Sequence, residues 1–186
     1  MLGMSEEKKS FVFKLAILGD AGVGKTSLVN QYCENIFKED YRATMGVHLI
    51  KKDIELENIN SIVHLILWDI AGQDAYEKTR QKYYDGCTGA LLVYDITRYN
   101  TFNSIEQKWI KDFSKHVKSN VPYVLIGNKT DLEQDRGVFS EDALKLASKI
   151  NAADFIETSA KLGDNVEEAF LKLVQQILSN HGIKFE

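Results

Sequence analysis

One octapeptide constrains this chain more than any other segment. Residues 19–26 read GDAGVGKT, which fits G-x-x-x-x-G-K-[ST] and lies between an apolar run and a helical pattern. In such a turn the backbone amides point inward around phosphates, and the following helix directs its N-terminal amides and dipole at the same charge. An ordinary glycine-rich turn before a helix is the alternative. We expect phosphate contacts from Gly22, Val23, Gly24, Lys25, Thr26 and Ser27.

Two side chains of this segment carry the expected chemistry. The ammonium of Lys25 can reach the outer phosphate oxygens, so we assign it a catalytic as well as a binding role. The hydroxyl of Thr26 can ligate Mg²⁺. The segment therefore predicts a nucleotide site with a divalent cation.

Short apolar runs alternate with longer helical patterns along the rest of the chain. The predicted strands are 11–18, 50–56, 62–68, 90–94, 123–126 and 154–158, and the predicted helices are 24–35, 101–118, 141–150 and 166–178. This alternation predicts an α/β fold with a mostly parallel sheet and helices on both faces. Ligands of such sheets bind at the carboxyl ends of the strands, where the motifs of this chain fall.

Length and composition narrow the class of protein. A chain of 186 residues suits one domain, and the net charge of −4 argues against non-specific nucleic-acid binding. The cysteines Cys33 and Cys87 lie far apart without metal spacing, so we expect reduced thiols in a cytoplasmic protein. We find no membrane span, secretory signal or C-terminal cysteine for prenylation, and expect membrane association only through a partner or a tail not present here.

A second motif follows the predicted strand 62–68. Asp69 leaves this apolar strand within DIAGQ and is expected to hold magnesium. The amide of Gly72 can approach a terminal phosphate, and Gln73 can orient a water for in-line attack, which makes it the second catalytic residue. In isolation, the motif favours a helix cap for Asp69 and an exposed helix position for Gln73, but the preceding apolar strand and the glycine-rich octapeptide reverse that preference.

A third motif, NKTD at 128–131, follows the predicted strand 123–126. The carboxylate of Asp131 can accept both the ring N–H and the amine of guanine, whereas adenine offers no such pair. Asn128 can bond the purine N7 and brace neighbouring loops, and the stem of Lys129 can lie along the base. The segment TSAK at 158–161 adds base contacts from Ser159, Ala160 and Lys161, although each tetrapeptide alone also fits an ordinary loop.

The order GDAGVGKT, a threonine loop, WDIAGQ, NKTD and TSAK resembles the Ras superfamily of small GTPases from about residue 11 to 181. The resemblance implies the P-loop fold of small G proteins, a six-stranded sheet flanked by five helices. The polar, charged residues 1–10 predict a flexible N-terminal tail, and residues 182–186 are expected to form a short C-terminal tail. Thr44 resembles the switch threonine that ligates magnesium only with GTP. Phe37 resembles the ring stacked on guanine, with a core phenylalanine as the alternative.

Within the superfamily the chain most resembles Rab proteins, through YRATMGVHL, WDIAGQDAYEKTRQKYYDG and LLVYDITRYNTF. Leu49, Ile70 and Asp74-Ala75 depart from the usual Rab residues. The resemblance implies a monomeric switch that binds GTP or GDP with Mg²⁺, hydrolyses GTP slowly and presents loops near Thr44 and Gly72-Gln73 to effectors, exchange factors and activating proteins in vesicle trafficking. The alternatives are a pseudo-GTPase that holds nucleotide without turnover and a P-loop kinase of a small metabolite.

Overall fold

The computed structural model of the chain describes residues 8–34, 46–72, 77–118 and 120–184, and for residues 77–79 it describes the backbone alone. Within these ranges six strands form one sheet in the order β2-β3-β1-β4-β5-β6. The strands are β1 (Lys9–Leu18), β2 (Val47–Leu56), β3 (Ser61–Ile70), β4 (Gly89–Asp95), β5 (Tyr123–Asn128) and β6 (Asp154–Thr158). β2 runs antiparallel to β3, and every other neighbouring pair is parallel. The predicted six-stranded, mostly parallel sheet is confirmed.

The α-helices of the described residues comprise the four predicted from periodicity, once adjoining segments are joined, and one more at 77–84 that periodicity does not predict. They are α1 (Lys25–Glu34), α2 (Glu77–Tyr84), α3 (Tyr99–Ser104), α4 (Ile110–Ser114), α5 (Ser140–Lys149) and α6 (Val166–Asn180). A π-helical turn, Ile105–Trp109, joins α3 directly to α4, and the junctions keep right-handed helical backbone angles. The α3–π–α4 run is therefore one helical rod, so the described residues contain the five α-helices that the resemblance implies.

Side-chain alternation along the strands divides the core between the two faces of the sheet. In β1, Leu15 and Ile17 face one cluster, whereas Ala16 and Leu18 face the other. The first cluster packs under α1 and α6, and the second packs under α3–π–α4 and α5. All seven residues of β4 are buried, because a central parallel strand is covered by helices on both faces.

Residues just outside the predicted domain, 11–181, also contact it. β1 begins at Lys9, inside the segment assigned to the tail, because Lys9 pairs with Ser61 of β3. Beyond the predicted end at 181, Ile183 packs against the core. Among the described residues, no helix combines the length and the apolar character needed to cross a bilayer.

The topology places the predicted motifs at one edge of the sheet. β1, β3, β4, β5 and β6 all run in the same direction, so their carboxyl ends meet there. These ends carry the glycine-rich octapeptide after β1, Asp69 in β3, Asn128 in β5 and Thr158 in β6.

Candidate functional site

The segment 19–26, hereafter the phosphate loop, links β1 to α1 and folds around the side chain of Lys25. The Lys25 ammonium donates to the carbonyl oxygens of Gly19 at 2.7 Å and Asp20 at 2.9 Å, and the residue is only 6% exposed. α1 begins at Lys25, and the first N–H groups of a helix have no partner within the helix. The loop therefore gathers an ammonium group and amide donors, which together suit a phosphate.

Burial changes the charge balance of Lys25. Loss of hydration lowers the pKa of this lysine to about 8, against the opposing effect of the carboxylates of Asp69 and Asp20. An anion seated in the loop would favour the protonated form in the same way as these carboxylates do.

Thr26 and Asp69 bring two oxygen atoms together at the start of α1. The Thr26 hydroxyl donates to the Asp69 carboxylate at 2.5 Å, and Asp69 is fully buried near the end of β3. The described residues contain no cluster of three or more His, Cys, Asp or Glu side chains suited to a metal. Mg²⁺ does not need one, because it binds through one or two protein oxygens, phosphates and several waters. The pair therefore fits Mg²⁺.

Gly72 lies directly against the phosphate loop. A Cβ atom built at Gly72 would stand 2.4 Å from the carbonyl carbon of Asp20 and 2.5 Å from the amide nitrogen of Ala21. Only a residue without a side chain permits this approach. The segment after β3 thus meets the loop through backbone atoms.

Asn128 joins the phosphate loop to the loops of β5 and β6. Its amide nitrogen donates to the Val23 carbonyl at 2.9 Å, and its oxygen accepts from the Thr158 hydroxyl at 3.0 Å and the Ala160 amide at 3.1 Å. A Cβ atom at Gly24 would lie 2.2 Å from the Asn128 amide nitrogen. The bracing predicted for Asn128 is confirmed. The Ala160 amide, predicted to approach guanine, here donates to Asn128, and its contact with a base stays a prediction.

Asp131 and Ser159 meet although 28 residues separate them. The Ser159 hydroxyl donates to the Asp131 carboxylate at 2.7 Å and accepts the Leu162 amide at 3.0 Å. Asp131 is half-buried and Ser159 fully buried. The serine thereby fixes the orientation of the carboxylate proposed to read the base.

Asp95, which the sequence analysis missed, organises the same edge. Its carboxylate lies 2.7 Å from the Lys129 ammonium and 2.9 Å from Nε of Arg98, and it accepts the amide and hydroxyl of Thr97. Burial would raise the pKa of Asp95, but the hydrogen bonds from Lys129 and Thr97 outweigh burial and hold it below its ordinary value of 3.8. Lys129 itself adopts a left-handed backbone, with φ 77°.

Arg98 connects Asp95 to the phosphate loop. Its guanidinium donates to the Ala21 carbonyl at 3.3 Å and is 40% exposed. One signal points to Asp95, since it ends β4 as Asn128 ends β5. No local pattern indicates the contact of Arg98.

Of the remaining predicted site residues, some lie within the part of the chain that the structure describes and some lie outside it. Gly22 within the phosphate loop and Ser27 directly after it are half-buried, and Lys161 is exposed. Phe37, Thr44 and Gln73 lie outside the described residues.

Comparison with known proteins places this arrangement in a family. The model of the Ras family matches residues 14–179. Ras-related protein RABA1i of Arabidopsis thaliana is 39% identical over 93% of this chain and 78% of its own length. Ras-related protein Rab-4A of Danio rerio is 41% identical over 93% of this chain and 79% of its own length. GTP-binding protein ypt3 of Schizosaccharomyces pombe is 38% identical over 96% of this chain and 83% of its own length. The chain therefore belongs to the Ras family and is a small GTPase, with similarity to Rab proteins over most of its length.

Proposed function

We propose that this GTPase is a guanine-nucleotide switch that holds one nucleotide along the sheet edge. The phosphate loop would bind the phosphates, Thr26 and Asp69 would bind one Mg²⁺, and the loops after β5 and β6 would bind the base. The observation that supports this most strongly is the placement of Asn128, because its side chain binds the phosphate loop and the TSAK segment together. Phosphate and base contacts are thereby kept at a fixed separation. One site then recognises both ends of a nucleotide.

The residues of the phosphate loop bind and orient the phosphates. Lys25 would transfer its hydrogen bonds from the carbonyls of Gly19 and Asp20 to the outer phosphate oxygens. Thr26 and Asp69 would hold Mg²⁺, Asp69 most simply through water. The cation neutralises charge that develops on the phosphate oxygens.

The base is read on the opposite side of Asn128. Asp131, oriented by Ser159, would accept the ring N–H and the amine of guanine. An adenine there would leave the carboxylate without its donors, which costs roughly 1–3 kcal/mol and more for a charged group. Lys129, held by Asp95, would lie along the base.

Hydrolysis would proceed through a water oriented by Gln73, with Gly72 close to the terminal phosphate. Turnover is expected to be slow, on the order of 10⁻⁴–10⁻³ s⁻¹, which is the intrinsic rate of this class, and to accelerate with an arginine from an activating protein. Loss of the terminal phosphate would release Thr44 and Gly72, and effectors would read that change. The similarity to Rab proteins makes vesicle trafficking the proposed setting.

Single-turnover hydrolysis tests this proposal. Gln73→Leu is expected to reduce phosphate release at least about tenfold, because leucine can neither donate a hydrogen bond to the attacking water nor accept one from it, while GTP binding persists. Gln107→Leu, at an exposed position of the π-helical turn, is the matched control and should hydrolyse like the unchanged chain. Equal rates in the unchanged chain and Gln73→Leu would remove Gln73 from the mechanism.

The same assay separates the alternatives. A chain that binds GTP and never releases phosphate is a pseudo-GTPase. Phosphate that appears on an acceptor molecule instead of in water identifies a kinase.

A further inference from the structure

A buried tryptophan holds the phosphate loop from the side of the α3–π–α4 rod. The indole N–H of Trp109 donates to the Asp20 carboxylate at 2.7 Å, and Trp109 has no exposed surface. A hydrogen bond to an ionised acceptor is among the stronger kinds. Because the Asp20 carbonyl also accepts the Lys25 ammonium, Trp109 helps to fix the backbone that holds the lysine.

The helical rod departs from α-helical geometry where it reaches this contact. The π-helical turn Ile105–Trp109 ends at the tryptophan. An extra residue in a helix rotates the following side chains by roughly 100°, and such turns occur frequently at functional sites. The irregular turn therefore sets the direction from which Trp109 meets Asp20.

The face of the same indole also receives a side chain of α2. The guanidinium carbon of Arg80 lies 4.6 Å from the Trp109 ring centroid, and Arg80 is 1% exposed. A guanidinium over an indole face is attracted by the ring, more strongly when both are buried. Asp112 of α4 lies 3.7 Å from Arg80 and accepts the Tyr84 hydroxyl at 2.9 Å, so α2 is anchored beside the tryptophan.

We infer that Trp109 is a positioning residue that couples the phosphate loop to helix α2. Its N–H contacts Asp20 in the loop, and its ring face contacts Arg80 in α2. A change at Asp20 should therefore alter the stability of α2 through the indole, although Asp20 lies outside that helix. The inference deepens the proposed function and rests on it, because α2 follows the switch segment at Gly72-Gln73.

Asp20→Ala tests this coupling without altering Trp109 or the core. Removing the carboxylate should speed amide hydrogen exchange in Glu77–Tyr84 about tenfold and speed release of Mg²⁺·GDP about tenfold. Asp20→Asn keeps an acceptor oxygen, so its rates of α2 amide exchange and of Mg²⁺·GDP release should both lie close to those of the unchanged chain. Trp109→Phe deletes the donor, keeps a ring for Arg80 and should reproduce the effect of Asp20→Ala.

Tyr123→Phe is the matched control, because it also removes one aromatic donor. Its hydroxyl donates to the Ile150 carbonyl, and Tyr123 begins β5 at the end remote from the site. This change should lower thermal stability and leave α2 exchange unchanged. If Trp109 only fills the core, Asp20→Ala should likewise leave amide exchange in α2 unchanged.

Unchanged α2 exchange in Asp20→Ala would overturn the coupling, whether or not Trp109→Phe folds. The measurement is made with Mg²⁺·GDP and on the nucleotide-free chain. If the unchanged chain binds no GDP, the proposed function fails, and exchange in the nucleotide-free variants still decides whether the loop and α2 are linked. If GDP binds normally and α2 does not respond, the coupling alone fails.

Discussion

Gly72 packs its Cα directly against the backbone of the phosphate loop. A Cβ atom at this position would meet backbone atoms of Gly19, Asp20 and Ala21 at 2.4–2.5 Å. Backbone atoms cannot rotate away as a flexible side chain does. At the scale of the residue, the spacing between the end of β3 and the loop is therefore set by the absence of a side chain.

Gly72→Ala should separate these two segments. Overpacking of this kind costs about 1–3 kcal/mol. Because Gly72 is proposed to approach the terminal phosphate, the affinity for a non-hydrolysable GTP analogue should fall about tenfold relative to that for GDP. Competition against a fluorescent nucleotide measures this ratio.

Gly86→Ala is the control for this prediction. Gly86 has φ 71°, so alanine is strained there, but nothing lies within 4 Å of a Cβ atom at Gly86. It should lower the free energy of unfolding without changing the ratio of affinities. A ratio unaffected by Gly72→Ala would show that the phosphate does not require this approach.

Residue chemistry explains which parts of the site the sequence predicts. Lys25, Asn128 and Asp131 lie in motifs of fixed residue type and spacing, as the proposed binding of phosphate and guanine requires, and the structure brings them to one edge. Trp109 and Arg98 touch the phosphate loop from other segments. Their contacts arise from packing between distant parts of the chain, which no local pattern records.

At the scale of the secondary-structure element, the ends of β4 and β5 are joined by charge. Asp95 ends β4 with its side chain 2% exposed, and it holds Lys129, which follows β5, and Arg98, which precedes α3. Lys129 and Arg98 are 30% and 40% exposed, so water reaches both cations. The carboxylate is the buried member of this group.

Asp95→Asn should destabilise the fold at neutral pH. Loss of hydrogen bonds between charged groups costs about 1.5–3 kcal/mol. Because the pKa of Asp95 in the folded chain lies below its ordinary value of 3.8, its contribution is complete above about pH 4 and is lost as the pH falls through the folded-state pKa. The difference in free energy of unfolding between the unchanged chain and Asp95→Asn should therefore shrink below pH 4.

Denaturant unfolding at pH 7 and pH 3 measures this difference. Asp142→Asn is the control, because Asp142 and Lys145 form an exposed pair worth about 0–1 kcal/mol. Equal stability of Asp95→Asn and the unchanged chain at pH 7 would contradict the role given to Asp95.

The strands and helices differ in how well hydrophobic periodicity predicts them. The six strands and α1, α5 and α6 have apolar patterns, and their predicted bounds lie within a few residues of those observed. α2 reads EKTRQKYY and has no apolar stripe, so periodicity did not predict it. It packs through the buried Arg80 and Tyr84 instead, and a charged residue buried against a tryptophan has no signature in hydrophobic periodicity.

At the scale of the whole molecule, bound nucleotide and cation should raise the free energy of unfolding of the entire domain. The candidate site joins the ends of five strands, so a ligand bound there stabilises the sheet edge as a unit. Ligand at a thousand times its Kd adds about 4 kcal/mol to the free energy of unfolding. The Tm should rise accordingly with Mg²⁺·GDP.

Magnesium removal tests the pair formed by Thr26 and Asp69. Chelation by EDTA should speed GDP release at least about tenfold, because the phosphates then face the Asp69 carboxylate without a cation. Asp69→Asn should make release largely insensitive to chelation. The same release rate in Mg²⁺ and in EDTA for the unchanged chain would contradict the assigned cation site.

The most direct measurement is a competition among GDP, ADP and xanthosine diphosphate for the unchanged chain and for Asp131→Asn, in the presence of Mg²⁺. The unchanged chain should prefer GDP over ADP by about a hundredfold or more. Asp131→Asn should shift the preference toward xanthosine diphosphate, because the new amide donates to the carbonyl that xanthine carries at this edge. Asp135→Asn, an exposed aspartate of the same segment, should change nothing. Equal binding of GDP and ADP by the unchanged chain, or guanine selectivity retained in Asp131→Asn, would contradict the account.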